Sequence, residues 1–340
     1  MSASTGTSSA PLQITEDEAA VYDRQIRLWG LEAQQRMRNA TIMVVRLKGV
    51  ATETIKNIVL AGIGKLVIVD DDDVAPEDLG AGFFFRDEDV GKKRVDAAKA
   101  RVESLNPLVI VETVPTLAVL EPARLDATVQ SADLLCMTDW DRETLIRVND
   151  ACRRFNKPFY AGGSYGLLGY IFCDLGQHEY LAPERTVPKD SGNKRTKLTV
   201  NYCPLRTALQ PYKWSGLNRM QTKNLNPVVH FTIQALWEYQ FRHRSALPDI
   251  TDHATELDSI ANSLFTQADI NKVIKGIPKD LTESLATTAT HEFAPVCAVI
   301  GGILGQDLLK ALAAREPPIA NFFSFDGNSG HGSVCRMNMK

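Results

Sequence analysis

The stretch TIMVVRLKGVATETIKNIVLAGIGKLVIVD, residues 41–70, decides the architecture. Residues 41–47 are a short β-rich run bounded by Gly49. From Val50 to Ala61 the pattern is helical, and Gly62 and Gly64 end it. Residues 65–70 form a second β-rich run. Strand, helix and strand make one βαβ unit, the start of a parallel α/β sheet.

Outward from this unit the alternation continues. Residues 92–105 read as helix and 108–114 as strand, then 122–130 as helix and 132–138 as strand. Residues 141–155 read as helix, with Thr138 and Asp139 as possible caps. Residues 158–163 and 165–176 add strand. Residues 15–176 are therefore expected to form one Rossmann-like domain, an open and mostly parallel sheet with helices on both faces. Upstream, Glu16 to Asn39 reads as a helix with apolar faces from Ile26, Leu28, Trp29, Leu31 and Met37. Residues 1–14 read as a disordered polar leader without the basic-then-apolar order of a secretory signal.

Downstream, residues 177–290 are expected to be a polar loop and a helical insertion. The loop, 177–201, holds a basic cluster of Lys189, Lys194, Arg195 and Lys197. Residues 228–242 and 251–275 carry apolar helical faces. Residues 294–313 are apolar almost all round, which marks a core helix. With the strand at 321–327, residues 291–335 complete the fold. Gly301, Gly302 and Gly305 on that helix point to close backbone packing.

Composition narrows the function classes. The 340 residues suit one large domain or two ordinary ones. With 44% apolar and 23% charged residues, the chain supports a sizeable core. Basic and acidic residues number 38 and 41, so the excess expected of a nucleic-acid coat is missing. The longest uncharged apolar stretch, 293–305, is too short to cross a bilayer as a helix. The six cysteines include no C-x-x-C pair, so neither structural zinc nor secretory disulfides are expected. Cys173 and Cys297 read as buried packing. His178 and His291 adjoin Glu179 and Glu292 but lack metal-site spacing. Asp70 to Asp73 reads as a solvated turn in preference to a cation site.

A dinucleotide fold sets glycines between its first strand and helix, where backbone and helix N-terminus receive phosphate. Here that turn is VVRLKGVATE, 44–53, and Asp70 follows Gly49 by 21 residues, where a ribose-holding acid belongs. Only Gly49 remains; Arg46 and Ala51 stand where glycines are expected. Two readings stay open: phosphate binding through Arg46 and Lys48, or a relic that kept the fold and lost the ligand.

The segment YDRQIRLWG, 22–30, resembles the opening of the activating enzymes for ubiquitin-like modifiers, a ThiF/MoeB-like family. Residues 47–86, 90–107, 292–312 and 321–327 extend the likeness. Within the family the chain is most similar to the smaller, Aos-type subunits of heterodimeric SUMO-activating enzymes. It shows no inserted catalytic-cysteine domain and no modifier-like C-terminal domain. The resemblance implies a required but inactive half. The larger, Uba-type subunit would bind ATP and Mg2+, adenylate the SUMO C-terminus and carry the thioester cysteine. SUMO and the SUMO-conjugating enzyme would be further partners, and the nucleus the compartment. Departures from the family's active half agree with this: the glycine turn is interrupted. Gly80-Ala81-Gly82 also replaces an Asn-Arg-Gln before Phe83-Phe84-Phe85. The resemblance gives Arg24 a role in trans, reaching ATP phosphates in the partner's site. The plain alternative is a surface arginine paired with Asp23 or Glu32. Arg27 reads as a structural salt bridge. Rival readings are the regulatory subunit of a Nedd-type activating enzyme, a homodimeric adenylyltransferase, and a nicotinamide-dependent oxidoreductase.

Overall fold

The computed structural model describes residues 13–181, 196–214, 216–270, 274 and 276–339. The N-terminal helices are α1 (Glu16–Val21), α2 (Asp23–Trp29) and α3 (Leu31–Arg38). The alternating part follows as β1 (Thr41–Val45), α4 (Gly49–Leu60), β2 (Lys65–Val69), α5 (Arg94–Leu105), β3 (Ile110–Val114), α6 (Pro122–Gln130), β4 (Leu134–Thr138), α7 (Arg142–Arg154), β5 (Phe159–Tyr165) and β6 (Leu168–Asp174). A hairpin, β7 (Gln177–Leu181) and β8 (Lys197–Asn201), leads into α8 (Leu205–Ala208), α9 (Arg219–Asn224), α10 (Pro227–Arg242), α11 (Ala254–Gln267) and α12 (Lys279–Thr288). The chain closes with α13 (Ala294–Ala313), β9 (Phe322–Asp326) and β10 (His331–Cys335).

Eight strands form one sheet in the order β10-β9-β6-β5-β4-β1-β2-β3. The run from β5 to β3 is parallel, and β6, β9 and β10 continue it antiparallel. Alternate residues of each strand enter opposite cores, as the two-residue period of a strand requires. Ile42, Val44, Leu66 and Ile68 face α4, α5 and α13. Met43, Val45, Val67 and Val69 face the layer built from α6, α7 and α10–α12. Residues 204–290 thus cover one face of the sheet and share its core.

Two sequence expectations need correction. The helix expected over 16–39 is three pieces. Gly30, at φ +90°, breaks the run, and Tyr22 turns inward at the other break. The Tyr22 hydroxyl accepts from Asn106 Nδ2 at 2.8 Å. Its ring lies where a Cβ on Gly62 would come within 2.4 Å, so Gly62 must stay bare. The loop expected over 177–201 contains the β7–β8 ladder, in register from Gln177↔Asn201 to Leu181↔Lys197. Lys197 pairs with Glu179 there. Lys189, Lys194 and Arg195 lie outside the described residues, as do leader residues 1–12.

Among the described residues, α13 has the length and apolarity of a membrane span. Here it packs along α4 and across β5 and β6. A Cβ on Gly301 would come 2.5 Å from Glu53 Cβ and 2.7 Å from the Val50 carbonyl oxygen. One on Gly305 would come 2.9 Å from Asn57 Cβ. Thr54 Oγ1 crosses the contact to the Gly301 carbonyl at 3.3 Å. Gly302, grouped with these two on sequence, meets nothing within 4 Å. Gly301→Ala is therefore expected to cost about 1–3 kcal/mol through overpacking. Gly302→Ala should be neutral or stabilise by up to about 1 kcal/mol. Urea unfolding of the two variants checks the contrast.

Candidate functional site

The site grows from the ends of β1, β2 and β4, where open α/β sheets hold ligands. After β1 the chain turns through Arg46, at φ +75°. The Arg46 N–H donates to the Val69 carbonyl at 2.8 Å. The Arg46 carbonyl accepts from Thr138 Oγ1 at 2.9 Å. Its guanidinium donates to the Asp139 carbonyl at 2.7 Å and stacks on Trp140, 4.2 Å from the ring centre. Arg46 is therefore engaged with the turn after β4 through one guanidinium nitrogen and its ring stack, whereas Lys48, paired with it in the phosphate-binding reading, has no side-chain ion pair or hydrogen bond among the described residues.

Asp70 is equally engaged. Its Oδ2 accepts from Leu47 N at 2.6 Å and its Oδ1 from Asp72 N at 2.8 Å. Arg94 stands 3.6 Å away and also binds Asp72 and Asp78, each at 2.9 Å. Asp73 pairs with Lys93 at 2.8 Å. Carboxylates of Asp70, Asp71 and Asp72 do converge, but arginine and lysine side chains supply their positive charge.

The decisive group is Glu292, just before α13. Its Oε1 accepts from Gly49 N at 2.9 Å, at the first residue of α4. A helix N-terminus favours an anion, and here the chain's own carboxylate takes that seat. Gly49 has no room to grow: a Cβ would meet Cys297 Sγ at 2.9 Å, Ala81 Cβ at 3.0 Å and Glu292 Oε1 at 3.2 Å. Ala81 belongs to the Gly80-Ala81-Gly82 segment, which offers no side-chain donor. Instead it packs tightly; a Cβ on Gly82 would lie 2.3 Å from the Phe85 ring. Ala51 is fully buried in the first turn of α4.

Asp139, at φ +58°, completes the cluster. Its Oδ1 accepts from Ser164 N at 3.1 Å, and its buried Oδ2 has no partner among the described residues. Burial raises its pKa, with Lys48 and Arg46 opposing. Burial, then the nearby Asp139, pushes Glu292 up to about 7, against the pull of Lys48 and the Gly49 N–H. Two buried carboxyl groups thus occupy the place a phosphate would take at the Gly49 N–H. Glu292 would have to leave the Gly49 N–H before a phosphate could accept from it.

Sequence reasoning placed Arg46, Gly49, Ala51 and Asp70 together, and the structure brings them to one crevice. It missed Glu292, noted only as a neighbour of His291, and treated Asp139 as a cap. The cap of α7 is Asp141, whose Oδ1 accepts from Thr144 N at 3.1 Å. An acid immediately before a long apolar helix was the available signal for Glu292. Arg24 lies elsewhere, exposed on α2, without an ion pair or hydrogen bond among the described residues. Its expected surface partners are taken: Asp23 binds Arg27 at 3.0 Å, and Glu32 binds Arg315 at 3.0 Å. Trp29 is half-buried and donates to Gln34 Oε1 at 3.2 Å, an intradomain contact. All six cysteines are free, and Cys173 and Cys297 are buried, as expected.

The raised Glu292 carboxyl makes a signed prediction. The folded group keeps its proton to about pH 7, whereas the unfolded one loses it near 4.5. Its contribution to stability therefore falls as pH rises through that window. Glu292→Gln keeps an acceptor for Gly49 and removes the charge. Thermal melts should show the variant gaining about 1–3 kcal/mol on wild type between pH 5 and pH 8.

The ThiF family model matches residues 22–340. Among curated proteins, SUMO-activating enzyme subunit 1 of Rattus norvegicus is 36% identical over 340 residues, spanning 94% of this chain and 95% of that protein. The Homo sapiens protein of the same name gives the same identity and coverage. Two solved structures share the fold. PaaA has a TM-score of 0.58 at 15% identity, covering 99% of this chain and 78% of that one. E. coli MccB with succinimide has 0.54 at 16%, covering 93% and 71%. With a nearly full-length family match and relatives above one-third identity, the chain belongs to the ThiF family, in the group that holds the SUMO-activating enzyme subunit 1 proteins.

Proposed function

We propose that this chain is the non-catalytic subunit of a heterodimeric SUMO-activating enzyme. In the complex, the larger subunit binds ATP and Mg2+, adenylates the SUMO C-terminus and carries the thioester to a conjugating enzyme. The observation that carries the reading is the Glu292 carboxylate on Gly49 N, in the seat a nucleotide phosphate needs. Engaged Asp70 and Arg46 support it. So do the names of the relatives, which are subunits of a SUMO-activating enzyme.

Arg24 is the residue we assign to the partner's site. Attack at the α-phosphate moves negative charge onto departing pyrophosphate. A guanidinium there offers a fixed fork of donors and a charge that does not titrate. Arg24 is free for this, while Arg27 is held by Asp23. The surrounding surface suits a partner: Leu28 is 75% and Val21 67% exposed, Leu31 is exposed nearby in sequence, and so is Leu60, whose carbonyl accepts from Gln25 Nε2 at 3.5 Å. Val299 on α13 and Phe293 at its cap are also exposed. Apolar patches of this kind mark interaction sites. A complex so assembled would make adenylation depend on both chains, and we place it in the nucleus; imaging of a tagged chain tests that location.

Arg24→Ala is expected to leave the heterodimer intact by size-exclusion chromatography and to slow SUMO-dependent ATP–pyrophosphate exchange about 100-fold. Unchanged exchange would remove Arg24 from the reaction. The purified chain alone should show no ATP binding by calorimetry and no adenylate formation. Adenylation by the chain alone would instead support a homodimeric adenylyltransferase. A thioester assay offering SUMO and a Nedd-type modifier side by side separates those two partners.

A further inference from the structure

A groove of about 910 Å³ lies between the β7–β8 hairpin, the chain after α13 and the sheet edge. That volume is in the range of ligand sites. The site sits on the C-terminal half of α13, which contributes Asp307 and Lys310. Glu292 precedes the other end of that helix, roughly 20 Å away at 1.5 Å per residue. We propose that this groove binds an extended peptide of a partner protein in which apolar residues alternate with acidic ones.

Three features select that occupant. First, β10 is the end strand of the sheet and, among the described residues, pairs only with β9. Its outer row of backbone groups is an edge to which an extended chain can add. Val334 of β10 lines the groove and is 44% exposed. Second, the walls are apolar and fixed. Ile319 is held by its N–H donating to Asp307 Oδ1 at 3.0 Å. Tyr212 is held by contacts from its hydroxyl to His230 Nε2 at 3.3 Å and Cys335 Sγ at 3.4 Å. Side chains on one face of an added strand would fill pockets between them. Third, the polar groups call for acceptors. Lys213 and Arg336 line the groove without an ion-pair partner among the described residues, whereas Lys310 holds Glu316 at 3.5 Å. Trp214, also a lining residue, is only 3% exposed, and its Nε1 has no partner among the described residues. A buried indole N–H ordinarily has one. The burial of Trp214 also removes the exposed ring face that a stacked nucleotide base would need.

The test uses the full chain and fluorescence anisotropy. The probe is a fluorescein-labelled nonapeptide alternating valine with aspartate. The comparators are the same peptide with lysine for aspartate, and a single-stranded oligothymidine. The aspartate peptide should bind at least about tenfold more tightly than either comparator. Lys213→Glu combined with Arg336→Glu should weaken it about tenfold, because rim charges act on electrostatic association. Val334→Asp should weaken it separately. Unchanged melting temperatures show that the variants fold. Unchanged SUMO-dependent exchange separates this groove from the activating reading above. Equal binding of the aspartate and lysine peptides would overturn the proposal. So would preferential binding of the oligothymidine, or no binding up to about 1 mM.

Discussion

The close approach of α13 to α4 is the constraint on which the site depends. The two helices meet backbone to side-chain stem at Gly301 and Gly305, where any Cβ would collide with α4. A protein interior is packed too densely to absorb such a collision without shifting an element. Fixing α13 in this position also fixes the residues that lead into it. Glu292 is thereby delivered to the first N–H of α4, and Cys297 closes the space beside Gly49.

The electrostatics of the crevice follow from that delivery. A helix N-terminus presents unpaired N–H groups and a partial positive charge, which an anion satisfies. Here the acceptor is internal, the Glu292 carboxyl group. The second acid, Asp139, carries an oxygen without a partner among the described residues. An incoming triphosphate would have to displace one carboxyl group and sit beside the other. Two of the cations are committed, Arg46 to Trp140 and the Asp139 carbonyl, and Arg94 to three aspartates, while Lys48 faces the two acids without an ion pair among the described residues. The nucleotide scaffold persists because its strands and helices make the core. At Arg46, Asp70 and Gly49 the positions of the phosphate turn make contacts that hold the scaffold together.

Much of this was legible in the sequence. The alternation of β-rich runs and helical stretches across 41–163 gave the sheet, because buried parallel strands read as continuous apolar runs. The interrupted turn at Arg46 and Ala51 signalled an altered nucleotide site. Other features were not legible. The breaks at Tyr22 and Gly30 look like helix interior in a local window. They exist because the Tyr22 ring docks against Gly62 and Asn106, far along the chain. The β7–β8 ladder was hidden because Gln177–Leu181 and Lys197–Asn201 carry polar residues and little buried surface, and their pairing is set by partners well separated along the chain. Gly302 resembles Gly301 in sequence and differs from it only in which way it faces.

The sequence by itself determined the α/β class, the alternation of layers, the burial of Cys173 and Cys297 and the loss of two glycines from the phosphate turn. These depend on local composition and period, which survive in one dimension. Tertiary structure alone decided what fills the emptied seat and which cations remain free. Glu292 meets Gly49 at a sequence separation of 243, and Arg24 stays unpaired because Arg27 and Arg315 reach its neighbouring acids first. Contacts between residues so far apart arise only when packing fixes both elements in space, and no local pattern records them.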